Sequence, residues 1–313
     1  MRRACSVDSR RMDFEAELLG ASTYAAITRN RAAAAQEWVN ELPKLVSEAR
    51  RRFALTIGEP FTDGRSSCVL AVSCADGRLG VLKLAPPWHN IRRELQALVA
   101  WDGVAAPSVI AADTTRGLLL MERVMPGETV SEMTVSELAE LSARVHRAVP
   151  AADFPSVQQE ISRRIASREA ALAKMAAGGT PTQLDRRALV DVQRWARRLA
   201  RGEGERLLCH GDFYSSKNVL RCECRGPLVI DPFPCVGERE YDFALWVNTA
   251  ESFVAEPAAC ITELALELAL DERRLLAYVT LLAGAQLCGT SDERRARRER
   301  FWRTVSEEAY AVW

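Results

Sequence analysis

His210-Gly-Asp212-Phe-Tyr-Ser-Ser-Lys217-Asn218 and, a little further on, Leu228-Val-Ile-Asp231-Pro232 are the stretches on which the reading of this chain turns. Both place acids or amides at the ends of short apolar runs of strand type. Asp is almost never buried unpaired, so two carboxylates and an amide gathered this way are hard to explain as core. An Asp, an Asn and a second Asp converging from two loops form an oxygen-ligand set suited to Mg²⁺. Phosphoryl transfer requires that arrangement: one Asp positions the attacking hydroxyl, while the Asn and the second Asp hold metal. A polar turn followed by a capped strand is the other reading, and the motif alone leaves it open.

A second constellation lies upstream. Lys83 ends an apolar run, Val81-Leu-Lys-Leu84, and Glu94 follows within the next helical pattern. A strand lysine paired with a helix glutamate is the arrangement by which kinases grip phosphates. The chain has only four lysines, Lys44, Lys83, Lys174 and Lys217, against 42 basic residues in all. Arginine is the default cation here, so a lysine at this place fits a compact contact to α- and β-phosphates. Without Asp212 and Asp231, a surface lysine at a strand end would be the better reading.

Around these motifs the chain divides by pattern. Residues 1–30 are polar, Arg-rich and weakly periodic, and read as a frayed extension; Met12-Asp-Phe-Glu15 opens the first helical pattern, making Met12 an alternative start. A helix is expected from about Arg31 to Phe53. Strands follow at Ala54–Ile57, Cys68–Cys74 and Leu79–Leu84, with Ala75-Asp-Gly77 as a hairpin turn. A helix over Asn90–Trp101, strands at Ser108–Ala112 and Leu118–Arg123, and a break at Pro126-Gly127 complete a small five-stranded unit, residues 31–125. Residues 126–313 are mainly helical, at Val135–Val149, Val157–Ala177, Gln183–Gly202 and several segments after Phe243, interrupted by the polar β-like insert Leu207–Asp231.

Composition narrows the function. The 313 residues carry 42 basic and 42 acidic side chains, and a zero net charge argues against nucleic acid as the main partner. The longest apolar run, near Ala277–Cys288, is too short to span a bilayer, and no secretory signal follows Met1. Nine cysteines without paired C-x-x-C units read as reduced, half-buried hydrophobes in a cytoplasmic protein. Cys222 and Cys224 are the one close pair, pointing to the same face if they lie on a strand.

On these residues the chain resembles the aminoglycoside phosphotransferase superfamily, and within it the streptomycin 6-kinase (aminoglycoside and hydroxyurea resistance kinase) branch. The likeness runs from about residue 31 to 290, through Glu37-Trp-Val-Asn-Glu-Leu-Pro43, Val81–Leu84, Leu118-Leu-Leu-Met-Glu-Arg123, the His210 loop and Ile230-Asp-Pro-Phe-Pro-Cys-Val-Gly237 with Tyr241-Asp242. It implies an α+β, protein-kinase-like two-lobed fold: an N-terminal antiparallel sheet plus helix, a mostly helical C-terminal lobe, and nucleotide between them. It implies ATP and Mg²⁺, with Lys83 on the phosphates, Glu94 orienting it, and Met121, Glu122, Arg123 and Val124 as the adenine hinge. The Asp63–Ser67 turn, Ser66 included, would cover the phosphates although it is no G-x-G-x-x-G. Asp212 would be catalytic, Asn218 and Asp231 the magnesium ligands, and His210 and Asp242 braces of the loop. The family places Asn five residues after the catalytic Asp; here Asn218 follows Asp212 by six. A bulge in Tyr214–Lys217 is expected to absorb the extra residue, with Ser216 or water as the alternative ligand. Lys217 is read either as a γ-phosphate contact or as a solvated side chain.

The resemblance implies an acceptor hydroxyl on a small-molecule antibiotic, streptomycin-like first, with a nucleoside antibiotic or hydroxyurea as rivals. A cationic acceptor needs acids, and Glu238 and Glu240, with Glu251, Glu256, Glu263 and Glu267, are the acids on offer. A nucleotide-binding pseudokinase is the alternative of another class, supported only by the six-residue spacing. A kinase for protein hydroxyls is disfavoured, because no activation segment is readable between Asp231 and Asp242. His146 reads as a packed histidine, His89 as a loop residue without partners, and Asp292–Arg303 as a salt-bridged solvent face.

Overall fold

The structure, a computed structural model, describes residues 19–28, 32–62, 64, 66–149, 154–178, 182–201, 204–214, 217–250, 256–288 and 294–313. Met12 and the rest of residues 1–18 lie outside them. The chain divides into two units, Met1–Met125 and Pro126–Trp313.

In the first unit, alternating side chains build a five-stranded antiparallel sheet. Its strands are β1 (Leu55–Pro60), β2 (Cys68–Cys74), β3 (Leu79–Leu84), β4 (Val109–Asp113) and β5 (Leu118–Glu122), in the order β1-β2-β3-β5-β4. Leu70 and Val72 of β2, Leu82 and Leu84 of β3, and Leu118 and Leu120 of β5 share one face. Helix α2 (Ala32–Arg52) covers that face with Trp38, Leu42 and Leu45. A frayed extension does not describe residues 19–28. Leu19 and Ile27 are buried in the same core, and Ala21–Thr28 forms helix α1, whose Ile27 and Tyr24 gain more from this apolar face than from water. The odd positions of β3 face the other way: Lys83 stands in the row Val69–Lys83–Leu119. Helix α3 (Ile91–Trp101), capped by the Asn90 side chain accepting from Arg93 N at 3.2 Å, supplies Glu94 to that lysine.

The second unit holds the remaining elements. Two small sheets lie here: β6 (Pro126–Thr129), β8 (Val219–Cys222) and β9 (Gly226–Val229) in the order β6-β8-β9, and β7 (Leu207–Cys209) with β10 (Cys235–Gly237). The expected break at Pro126-Gly127 is instead the start of a strand, with Pro126 opposite Cys222 and Thr129 opposite Leu220. An edge strand with an irregular register tolerates a residue that cannot donate to the ladder. The helices are α4 (Val135–Val145), α5 (Val157–Gly178), α6 (Gln183–Leu199), α7 (Glu240–Val247), α8 (Pro257–Glu267), α9 (Glu272–Leu287) and α10 (Arg295–Val312). Every residue from Leu275 to Ala285 is buried, so the apolar run near Ala277 is a central core helix packed against α6, α7 and α10. No helix among the described residues is long and apolar enough to cross a membrane.

Candidate active site

In the first unit Lys83 Nζ donates to both oxygens of Glu94, at 2.8 and 2.8 Å, and both side chains are almost completely buried. Two charges removed from water this thoroughly need each other, and the strand alternation together with the α3 cap brings them face to face. His89 is not the partnerless loop residue expected. Its Nε2 lies 2.9 Å from Glu94 Oε2, placed there by the tight turn in which His89 N donates to Pro86 O at 2.9 Å. Ser66 is half-buried, and the neighbouring Ser67 hydroxyl is buried with no partner among the described residues. Asp63 and Arg65 of the same turn lie outside them. Along the expected hinge, Glu122 N donates to Ser108 O at 3.0 Å and Arg123 N to Leu79 O at 3.1 Å, so the sheet uses both of these donors. Met121 lies opposite Val81, and Val124 is buried.

In the second unit the His210 loop is held by one carboxylate. Asp242, fully buried at the start of α7, accepts from His210 N at 2.6 Å and Gly211 N at 2.8 Å. Its Oδ2 also lies 3.0 Å from His146 Nε2, whose Nδ1 is 2.8 Å from Ser142 Oγ. His210 is itself buried, its Nε2 bonded to Ile230 O at 2.9 Å while Nδ1 accepts from Asp212 N at 3.3 Å. That pattern suits a neutral ring protonated on Nε2. Burial lowers the His210 pKa against the opposing pull of Asp242 and Asp212. Gly211 adopts φ +76°, and a Cβ there would lie 1.9 Å from Phe233 O, so only glycine fits between His210 and Asp212. Phe213 anchors the loop from below, stacking at 5.2 Å on Trp246 and 6.2 Å from Phe243.

Asp212 is thereby left at the surface with a partly exposed carboxylate. Lys217 Nζ donates to its Oδ2 at 2.9 Å and lies 4.8 Å over the Tyr214 ring. Asn218 Nδ2 donates to Asp212 O at 2.6 Å and to Asp212 Oδ2 at 3.0 Å. The loop thus returns Asn218 to Asp212 despite the six-residue spacing; Ser215 and Ser216, within the expected bulge, lie outside the described residues. Asn218 immediately precedes β8 and Asp231 follows β9. Ile230 N donates to Asn218 O at 3.0 Å, so the β8–β9 register holds the two together at one end of the hairpin. Asp231 has φ +54°, a left-handed conformation that costs a non-glycine residue of order 1–2 kcal/mol and is kept where geometry matters more.

This donor set fits Mg²⁺. With Nδ2 committed to Asp212, the Asn218 carbonyl oxygen has no donor among the described residues, and it and the Asp231 carboxylate are the hard oxygens that could hold the metal.

Two acids expected at the acceptor are engaged elsewhere. Glu238 is buried and forked by Arg274, at 2.7 Å to Oε2 and 2.5 Å to Oε1. Glu240 is buried and accepts from Asp271 N at 3.0 Å, and burial raises its pKa. Both carry internal structure because α7 and α9 close over them, so they do not form an open acidic wall. Glu251 lies outside the described residues. Of the arginine-rich run, Arg295 pairs with Asp185 at 3.0 Å and Arg303 with Glu299 at 2.7 Å.

Arg164 of α5 had no sequence signal in so arginine-rich a chain. Its Nη2 donates to Gly211 O at 3.1 Å and its Nε to Tyr241 OH at 2.9 Å. Burial opposes its charge, but Tyr241, Tyr214 and Asp212 more than offset this and raise its pKa.

Residues 52–292 match the model of the family described as aminoglycoside/hydroxyurea antibiotic resistance kinase. A hydroxyurea phosphotransferase of Kitasatospora aureofaciens is 31% identical over 217 residues, covering 67% of this chain and 62% of that protein. A streptomycin 6-kinase of Streptomyces glaucescens is 33% identical over 227 residues, covering 67% of each. The chain thus spans about two thirds of the length of these relatives. Among solved structures, a choline kinase from Streptococcus pneumoniae superposes with a TM-score of 0.61 at 12% identity, covering 87% of this chain and 99% of that one. The fold is protein-kinase-like. By the family match over most of its length, the chain belongs to the aminoglycoside/hydroxyurea antibiotic resistance kinases.

Proposed function

We propose that this protein transfers the γ-phosphoryl group of ATP, with Mg²⁺, to a hydroxyl of a small-molecule antibiotic and so inactivates it. The observation that supports this best is the Asp212 carboxylate, held at the surface by a buried network and met by both Asn218 and Lys217. Asp212 would accept or orient the proton of the attacking hydroxyl. Lys217, ion-paired to the same oxygen, would meet negative charge developing on the transferring group. Asn218 and Asp231 would hold Mg²⁺, which when bound neutralises phosphate charge. Lys83, oriented by Glu94, would grip the α- and β-phosphates, and the Met121–Val124 segment would meet adenine. The relatives' names put streptomycin first among acceptors and hydroxyurea second, with a nucleoside antibiotic as a further rival. A cytoplasmic setting, where ATP is available, belongs to the same reading.

The test is incubation with MgATP and a panel of streptomycin, other aminoglycosides, nucleoside antibiotics and hydroxyurea, read by mass spectrometry for a gain of one phosphoryl group. Asp212→Asn should lose turnover by about three orders of magnitude while still binding ATP. Unchanged function in Asp212→Asn, with no phosphorylated product from the native protein, would favour the pseudokinase.

A further inference from the structure

The tip of the β8–β9 hairpin carries chemistry that phosphoryl transfer does not use. Cys222 ends β8, opposite Gly226 of β9 and Pro126 of β6. Cys224 lies off the strand, in the turn Glu223-Cys224-Arg225, and is exposed to solvent. The turn folds back so that the two Sγ atoms lie 3.5 Å apart. Gly226, at φ +69°, supplies the left-handed residue that this tight reversal needs. Arg144 of α4 clamps the tip from outside, Nη1 donating to Arg225 O at 3.0 Å and Nη2 to Pro227 O at 2.8 Å. Its half-buried positive charge also acts on Cys222. Burial raises the Cys222 pKa, but hydrogen bonds from Cys224 and Arg225 outweigh burial and the net shift is downward.

We propose that Cys222 and Cys224 form a dithiol site that exchanges with small disulfides and closes to a reversible Cys222–Cys224 disulfide. The Cys222 thiolate attacks one sulfur of a low-molecular-weight disulfide, RSSR. It forms a Cys222–SR mixed disulfide and expels RS⁻. Cys224 then loses its proton to solvent and attacks the Cys222 sulfur, expelling the second RS⁻. Two protein thiols are oxidised by two electrons, and one small disulfide is reduced to two thiols. Shortening 3.5 Å to a disulfide bond takes about 1.5 Å of closure, within reach of side-chain rotation and a flexing turn.

Cys222 is itself buried, at 5% exposure, and it is the exposed Cys224 beside it that opens the pair to solvent; none of the other described thiols has such an exposed partner thiol beside it. Cys209 and Cys235 face each other across the β7–β10 pair, but both are fully buried; the Cys235 hydrogen bond and then burial raise the Cys209 pKa, and the Cys209 hydrogen bond lowers that of Cys235 while burial and nearby acids raise it on balance. Cys68 and Cys288 are buried and pushed up to about 12. Burial also raises the Cys260 pKa.

The experiment uses the full-length protein, treated with oxidised glutathione, quenched with N-ethylmaleimide and digested with trypsin. Cleavage after Arg221 and Arg225 isolates Cys222-Glu-Cys-Arg225, which holds both thiols and no other. The expected peptide is two hydrogens lighter and unlabelled, and dithiothreitol restores two labelled thiols. Cys224→Ser should trap a lasting glutathione adduct on Cys222, and Cys222→Ser should slow glutathione release about ten-fold. A doubly labelled peptide after a treatment that consumes Cys74 or Cys260 would overturn the assignment. A stable glutathione adduct on Cys224 of the native protein would do the same.

Discussion

Replacing Asp242 by Asn isolates the device that sets the His210 loop. The side chain keeps its size but exchanges one acceptor oxygen for a donor. In the native protein the carboxylate is fully buried and accepts from His210 N at 2.6 Å, Gly211 N at 2.8 Å and His146 Nε2 at 3.0 Å. The less costly placement keeps oxygen toward His210 and His146 and turns the amide toward Gly211. The Gly211 N–H then loses its acceptor in a buried site, at about 2 kcal/mol, and the two surviving bonds lose charge assistance, about 1 kcal/mol each. A total near 4 kcal/mol should lower Tm by about 10 °C, given about 2–4 °C per kcal/mol for a unit of this size. Because Gly211 adjoins Asp212, kcat should also fall by about a hundred-fold, with KM for ATP little changed. Thermal unfolding and initial-rate kinetics on the same preparation check both. A variant that melts within about 2 °C of the native protein and turns over at its rate would refute the idea that Asp242 holds the loop.

Four further outcomes are expected. Lys83→Met strands the buried Glu94 charge and should cost about 3–5 kcal/mol by denaturant titration, while Lys83→Met with Glu94→Gln recovers stability but not nucleotide binding. Gly211→Ala would put a Cβ 1.9 Å from a backbone oxygen, and the variant should be expressed largely unfolded or melt more than about 10 °C early. Glu238→Gln should cost about 2 kcal/mol by leaving Arg274 without its carboxylate, and Glu240→Gln should be near neutral because its oxygen still accepts from Asp271 N; neither should raise KM for a cationic acceptor. Finally, His210 has a lower pKa folded than unfolded, so the unfolded chain takes up its proton first on acidification. Its contribution is complete above about pH 6.5 and is lost progressively as pH falls below that, which Tm measured between pH 8 and 5 should show as a slope reduced in His210→Gln.

The local grammar of the chain was largely readable. Apolar runs set off by the Asp63–Ser67 and Ala75-Asp-Gly77 turns bound β2 and β3 at Cys68–Cys74 and Leu79–Leu84, and the period of a strand sends Lys83 to the face opposite Leu82 and Leu84. The Lys83–Glu94 pair follows from one strand, one turn and one capped helix, all close in sequence. Asp212, Asn218 and Asp231 stand out because polar residues crowd the ends of apolar runs, where burial offers no reason for them.

Other features depend on distant parts of the chain arriving at the same place. Asp242 gathers a histidine 96 residues away and two backbone donors 32 and 31 residues away, and no local period records that meeting. Glu238 and Glu240 read as open acids because nothing near them in sequence announces Arg274 or the Asp271 amide. Pro126 reads as a break because its pairing with Cys222 closes across the whole α4–α6 segment. Short-range pattern is written by the backbone's periodicity and by which face meets water, so the sequence by itself determined the elements and the residues available for chemistry. Burying a carboxylate demands donors from wherever the chain crosses, so only the tertiary structure decided which side chains serve the site and which hold the fold.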